Sequence, residues 1–345
     1  MKRIAKITVA LLLAVAMCFS LAGCYDEDLN WSAKYDDTEL PAGAYIYYLS
    51  IAYNEAASKV STEDEVLKSE IDGTPAETWI KNRADEYVNQ YFYIQNEMKR
   101  LGLEMTDEDY STCLQTTESY WNYFGTSFEK FGIAKTSFDI AYSQYNRMYL
   151  KVFNALYGEG GENEVPESEL RQHIEDDYYD YEYFSAPLTK TDDDNKSVDL
   201  TDEEKADLKE TLEKYKTKIE SGAMTVNDAA TDYALKVQQD STYQTGIKDE
   251  NGMQSSYMPD AFISAIKEMN EGDVEVVEST KYMIVLHRLP IKDDEDTLLE
   301  SSDNRSQLLL ELKNTEYADA VSAAAQSFEG VEWNQKVLNL SLIHI

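Results

Sequence analysis

The sequence predicts an α+β protein: a mostly helical domain over 41–160, a small α+β domain over 165–290, and a C-terminal helical segment over 291–339. Three observations predict it. Apolar and aromatic residues recur at helical spacing through the first region, and a glycine-rich acidic break, GEGGENEVPE, interrupts the chain at 158–167. Beyond the break, VEVVES and KYMIVLHRL are two β-rich runs that follow a group of helices instead of alternating with them. The 345 residues exceed one ordinary core, which suits two or three domains.

The chain opens on Lys2, Arg3 and Lys6, then the apolar run ITVALLLAVAMCFS, then Leu21-Ala22-Gly23-Cys24. This is the charged, apolar, small-residue order of a secretory signal, and the run is short of the ~20 residues a spanning helix needs. LAGC resembles a lipobox, which implies that 1–23 is a lipoprotein signal peptide and that Cys24 carries the lipid. The expected location is extracytoplasmic, lipid-anchored to the bacterial cell membrane. YDEDLNWSAKYDDTEL is acidic and aperiodic, so 24–40 is expected to be a tether.

Cys18 leaves with the signal and Cys113 has no partner cysteine, so the fold must rest on its core and not on disulfides. Formal net charge is −35, and about −38 once the signal's three cations are removed. Such a surface repels nucleic acid and anionic headgroups, which excludes nucleic-acid binding and leaves the lipid as the membrane link.

AGAYIYYLSIAYNEAASKV places Ala44, Tyr47, Tyr48, Ile51 and Ala52 on one helical stripe. PAETWIKNRADEYVNQYFYIQNEMKRLG is a long helix with Pro75 near its start and Gly102 at C′. DEDYSTCLQTTESYWNYFG and SFDIAYSQYNRMYLKVFNALYG are further helices, so the many tyrosines read as core and not as a carbohydrate-stacking surface. After the break, ESELRQHIEDDYYDYEYFSAPL passes from helix to strand near Tyr183. Thr201 and Glu204 form a capping box for the helix that ends at Gly222, and TVNDAATDYALKV is the next helix. A polar loop (240–256), the short helix in MPDAFISAIKEMNEG and the two final strands complete the domain. LSLIHI at 340–345 matches the translation of a common sequencing adapter, so it is expected to be read-through.

KRLGLEMTDEDY followed by FEKFGIAKTSFDIAYSQYNRMYLK resembles the helical chaperone domain of SurA- and PrsA-type foldases. VPESELRQHIEDDYYDYEYF, ESGAMTVNDAATDYA and MPDAFISAIKEMNEGDVEVVESTKYMIVLHRL are similar, in that order, to segments of a parvulin-type (PpiC-type) prolyl isomerase domain. The resemblance implies a SurA-N-like domain, a parvulin-like domain, and a C-terminal helix packed back on the first. It implies a peptide pocket that includes Met258 and Phe262, one turn apart. Where the family carries histidines on its first and last strands, this chain has Tyr183 or Phe184 and then Met283. Those positions complete the expected pocket: Met258, Phe262, Met283 and Phe184.

His287 lies four residues, ~13 Å, past Met283 and beside Arg288, and is expected to be a solvated strand-end residue; His173 is expected on the surface. No catalytic residue, metal ligand set or cofactor motif is expected. The resemblance thus implies a chaperone that binds unfolded or extended segments of secreted polypeptides, with a degenerate isomerase domain. The alternatives are an active peptidyl-prolyl cis-trans isomerase and a solute- or glycan-binding lipoprotein.

Overall fold

A computed structural model describes residues 30–341 apart from 61–62, 193 and 238–239. The expected signal peptide, Cys24, the first part of the expected tether and the last four residues lie outside the described residues. Two compact units divide the chain, one formed by residues up to Glu164 and from Lys313 onward, the other by Val165–Leu312.

The first unit begins with two strands, β1 (Trp31–Tyr35) and β2 (Thr38–Pro41), joined by a turn with Asp36 at φ 48°. With β11 (Glu332–Trp333) they form an antiparallel sheet of order β11-β1-β2. This corrects the tether reading for these residues. Ala33 and Leu40 are buried, Ser32 donates to the Leu40 carbonyl at 3.2 Å, and Lys34 pairs across the strands with Glu39 at 2.6 Å. The third strand comes from the far end of the chain, which no local pattern reveals.

Helix α1 (Ala42–Ser58) buries Ala44, Tyr47, Tyr48 and Ala52 of the expected stripe and Tyr45 besides, while Ile51 is only partly buried. A small hairpin, β3 (Glu70–Ile71) and β4 (Thr74–Pro75), leads into α2 (Ala76–Arg100), for which Pro75 is the N-cap. Gly102 closes α2 at φ 67°, where Leu103 N–H donates to the Met98 carbonyl at 2.8 Å. Helix α3 (Asp107–Lys130) starts on a capping box between Thr106 and Asp109. Then α4 (Lys135–Phe138), a π-helical turn (Asp139–Gln144) and α5 (Tyr145–Tyr157) run on continuously. The end of the chain completes this core: Tyr317 packs on Tyr149, Phe153 and Tyr157, and Asn89 donates to the Ala325 carbonyl.

The second unit has α6 (Glu167–Asp177), β5 (Tyr178–Pro187), the hairpin β6 (Thr189–Thr191) and β7 (Ser197–Asp199), α7 (Asp202–Glu220), and α8 (Val226–Val237). It continues with β8 (Gln244–Asp249), α9 (Glu250–Ser255), α10 (Asp260–Glu268), β9 (Val274–Glu278), β10 (Tyr282–Leu289) and α11 (Glu295–Glu300). The first part of α12 (Ser302–Gln326) also belongs to it, with Leu308 buried, so the unit extends past the expected end at 290. Where the sequence suggests a loop at 240–256, β8 and α9 form instead. β8 is an edge strand, half exposed, so it shows no apolar alternation; Gly246 is required there because a Cβ would meet the Tyr181 hydroxyl at 2.7 Å.

The sheet order is β8-β5-β10-β9, antiparallel throughout. Period-two alternation gives it two buried faces. Phe184, Ala186, Met283 and Val285 pack against Leu212, Tyr215 and Ile219 of α7 and Ala229 and Ala230 of α8. Tyr181, Ile284 and Leu286 pack against Met253, Phe262, Ile263 and Ile266 on the opposite face.

Candidate functional site

The four expected pocket residues do not converge. Phe262, in the first turn of α10, is fully buried, with its ring 5.2 Å from those of Tyr181 and Tyr183. Met258 precedes the N-cap Pro259 and accepts a hydrogen bond on Sδ from the Tyr181 hydroxyl at 3.4 Å. Met258 and Phe262 therefore meet beside Tyr181 and Tyr183, although Met258 is not on the helix. Met283 faces Ala186, Phe184 faces Val285, and both belong to the other side of the sheet, under α7 and α8. A one-residue difference in register carries a side chain to the opposite face, so Tyr183, and not Phe184, is the strand residue that faces Phe262.

On the Phe262 side, β5 presents Tyr179, Tyr181 and Tyr183, and β10 presents Ile284 and Leu286. Arg288 lies on the same side, where its guanidinium donates to the Met269 carbonyl at 2.6 Å and stands 4.9 Å over the Tyr179 ring. The apolar groups among these pack on one another as a hydrophobic core.

The histidines are not free solvated residues. His287 Nδ1 lies 2.9 Å from Glu182 Oε1, and the other Glu182 oxygen accepts from the Tyr243 hydroxyl at 2.9 Å. The bond from His287, opposed by burial and supported by Tyr243, holds the Glu182 carboxyl below its usual range. His287 shares the face of Met283, away from Phe262. His173 is mostly buried, between Asp177 at 2.8 Å and Glu311 at 2.9 Å. Sequence reasoning misses both because the carboxylate partners Glu182 and Glu311 are distant in the chain. Cys113 is buried with Sγ 3.5 Å from the Ser143 carbonyl, and burial raises its thiol.

Asp180 is buried in β5, and its Oδ2 has no hydrogen-bond partner. Burial, and then the neighbouring Asp294 carboxyl, push it up to about 7. A carboxyl whose folded value lies above its unfolded one contributes most stability at pH below ~4 and loses that contribution as pH rises through about 7. Asp180→Asn is expected to stabilise the α+β unit at about pH 8 by roughly 2 kcal/mol after allowing for solvent screening, with the gain shrinking toward about pH 4. Urea midpoints at the two pH values check it; an Asn variant that is less stable at the higher pH would contradict the assignment.

The helical unit carries a second candidate surface. On α3, Tyr110, Leu114, Tyr120, Tyr123 and Phe124 are exposed, Tyr123 by 84%. Their rings continue inward: Tyr123 to Phe124 at 6.4 Å, Phe124 to Phe128 at 6.2 Å, and Phe128 stacked on the buried Phe138 at 5.0 Å. The Tyr142 hydroxyl donates to that of Tyr120 at 2.8 Å, anchoring the patch. Reading all tyrosines as core misses this surface. The signal lies in YWNYF, because aromatics at 120, 121, 123 and 124 span too much of the helix circumference to share one buried stripe.

Among the described residues no group of three or more His, Cys, Asp or Glu side chains is placed to hold a metal ion, and no helix is long and apolar enough to cross a membrane.

The chain is similar to the foldase protein PrsA from Lactococcus lactis, at 12% identity over 90% of this chain and 98% of that one, with a TM-score of 0.37. It is similar to foldase protein PrsA from Streptococcus pneumoniae, at 14% identity over 80% of this chain and 99% of that one, with a TM-score of 0.39. PrsA from Bacillus subtilis is similar at 14% identity over 80% and 93%, with a TM-score of 0.31. Neither a protein-family model nor a curated protein matches the sequence. At these identities and scores, function rests on the residues of this chain.

Proposed function

We propose that this protein is a lipid-anchored, extracytoplasmic chaperone that binds unfolded or extended segments of secreted polypeptides, and that its α+β unit does so without prolyl isomerase catalysis. The observation that carries the reading is the exposed aromatic face of α3, fixed from beneath by a ladder of packed rings. Exposed aromatics on a rigid helix offer large contact area at small entropic cost and tolerate many sequences, which suits a binder of unfolded chains. The net charge of −35 keeps such a surface soluble and repels other copies of the same chain.

The α+β unit supports the non-catalytic part. Rotation about an X-Pro amide faces a barrier of ~18–20 kcal/mol. Around Phe262 the strands offer tyrosine hydroxyls and aliphatic side chains, while the strand histidine, His287, is bonded to Glu182 on the far face. Of the expected pocket on this face, Phe262 is fully buried and Met258 only partly buried. The lipobox and Cys24 supply the anchor in this reading.

The double variant Tyr123→Ser/Phe124→Ser is expected to keep its fold, since both residues are exposed, and to lose at least half of its suppression of aggregation of a reduced, unfolded client. Unchanged suppression would sink the assignment of the surface. A clear rate enhancement of prolyl isomerisation by the whole protein on a proline peptide would overturn the non-catalytic part.

A further inference from the structure

Sixty-six acidic residues against thirty-one basic ones make a cluster of cations unexpected in this chain, yet one exists in the α+β unit. A cavity of about 400 Å³ is lined by Thr211, Lys214, Tyr215, Thr217 and Lys218 of α7 and by Lys236 of α8. Half of the lining residues are lysines, and no carboxylate is among them. The volume lies within the range of small-ligand sites.

The cluster is built and not merely crowded. The Tyr215 hydroxyl donates to Asp232 at 2.7 Å and accepts from Lys236 at 2.9 Å, and Lys236 also pairs with Asp232 at 2.7 Å. Lys236 Nζ stands 5.1 Å over the Tyr215 ring and Lys218 Nζ 5.7 Å over it, so one buried phenol organises two ammonium groups. Lys214 is held by an exposed pair with Glu210 at 2.7 Å, which is weak and readily exchanged. Asp232 and Glu210 offset part of this charge, so the three lysines leave a local excess of one positive charge, and with a screening length of about 8 Å at physiological salt the remaining acids of the chain are largely screened from it.

We infer that this cavity is a binding site for a phosphate-bearing ligand, with Lys214, Lys218 and Lys236 donating to the phosphate oxygens. Ammonium groups are compact point charges with three donors each, and a tetrahedral anion offers enough acceptor oxygens to bridge three of them. The same chemistry is offered by a free diphosphate and by a phospholipid headgroup. The lysines belong to the α+β unit and the aromatic face to the helical unit, so the proposal is independent of the chaperone reading.

The test is calorimetric titration of the purified full-length protein carrying Cys24→Ser, which removes the proposed lipid attachment, with inorganic pyrophosphate, alongside co-sedimentation with phosphatidylglycerol vesicles. Saturable binding by either probe is expected, weakened about tenfold or more in K214Q/K218Q/K236Q, equivalent to ~1.4 kcal/mol. K214Q/K218Q leaves the Tyr215–Asp232 bond in place and is expected to show a smaller loss, while K190Q/K267Q is expected to bind as the parent does. Pyrophosphate that displaces the vesicles identifies the headgroup as the ligand's source, and pyrophosphate binding without vesicle binding identifies a free phosphate compound. Absence of saturable binding by both probes, unchanged affinity in K214Q/K218Q, or an equal loss in the control pair would overturn the proposal.

Discussion

Asp109→Ala is expected to destabilise the helical unit by about 3 kcal/mol, combining a lost N-terminal cap with loss of a buried ion partner. Asp109 is 1% exposed; it accepts from the Thr106 backbone at 2.9 Å and from Lys151 at 2.6 Å, and pairs with Arg147. Burial alone would raise its carboxyl, but the bonds from Lys151, Thr106 and Arg147 override it and hold the group well below the usual range. A carboxyl depressed in the folded state contributes stability that is present above its unfolded value of ~3.9 and is lost as pH falls below it. The parent should therefore lose stability steeply below about pH 4, and the variant less so. All four tryptophans, Trp31, Trp79, Trp121 and Trp333, lie in the helical unit, so their fluorescence follows its unfolding in urea. A loss below ~1 kcal/mol would mean that the ion pairs contribute little, as exposed pairs do.

Phe262→Ala is expected to cost the α+β unit about 3–5 kcal/mol and Met283→Ala about 2–5 kcal/mol, since both side chains are fully buried. The informative quantity is their coupling. The two residues occupy opposite faces of the sheet, so their effects should add to within ~0.5 kcal/mol. Amide hydrogen exchange of β5 and β10 in the two single variants and the double variant measures this. Coupling above ~1 kcal/mol would place both residues in one pocket, as the family resemblance implies, and would contradict the register Met283–Ala186.

Local signals were legible wherever one segment carries its own information. The Thr201–Glu204 capping box forms with both reciprocal bonds, and Gly102 takes the left-handed conformation that ends a helix. Of the stripe Ala44, Tyr47, Tyr48, Ile51 and Ala52, all but the partly buried Ile51 are buried as the spacing predicts. The final strand forms over Tyr282–Leu289. Features that depend on distant partners were not legible. β1 and β2 look like an acidic tether because their third strand is about 300 residues away, and β8 is too polar an edge to announce itself. His287 looks solvated until Glu182 is set beside it on β5.

The candidate site divides in the same way. Sequence resemblance singled out Phe262, which is buried beside Tyr181 and Tyr183, but it could not choose between Tyr183 and Phe184, because adjacent strand residues differ by one position in the chain and by a whole face in the fold. Nor could it separate the packed tyrosines of α1 from the exposed Tyr123 of α3, or see that three lysines from two helices meet around Tyr215. By itself the sequence determined the α+β class, the helices and the final strands, and the charge balance, since short-range periodicity, caps and composition are sufficient for these. Only the tertiary structure decided which face of the sheet each residue serves, which carboxylates hold the histidines, and which aromatic and cationic groups remain exposed, since each depends on contacts between segments that no local pattern encodes.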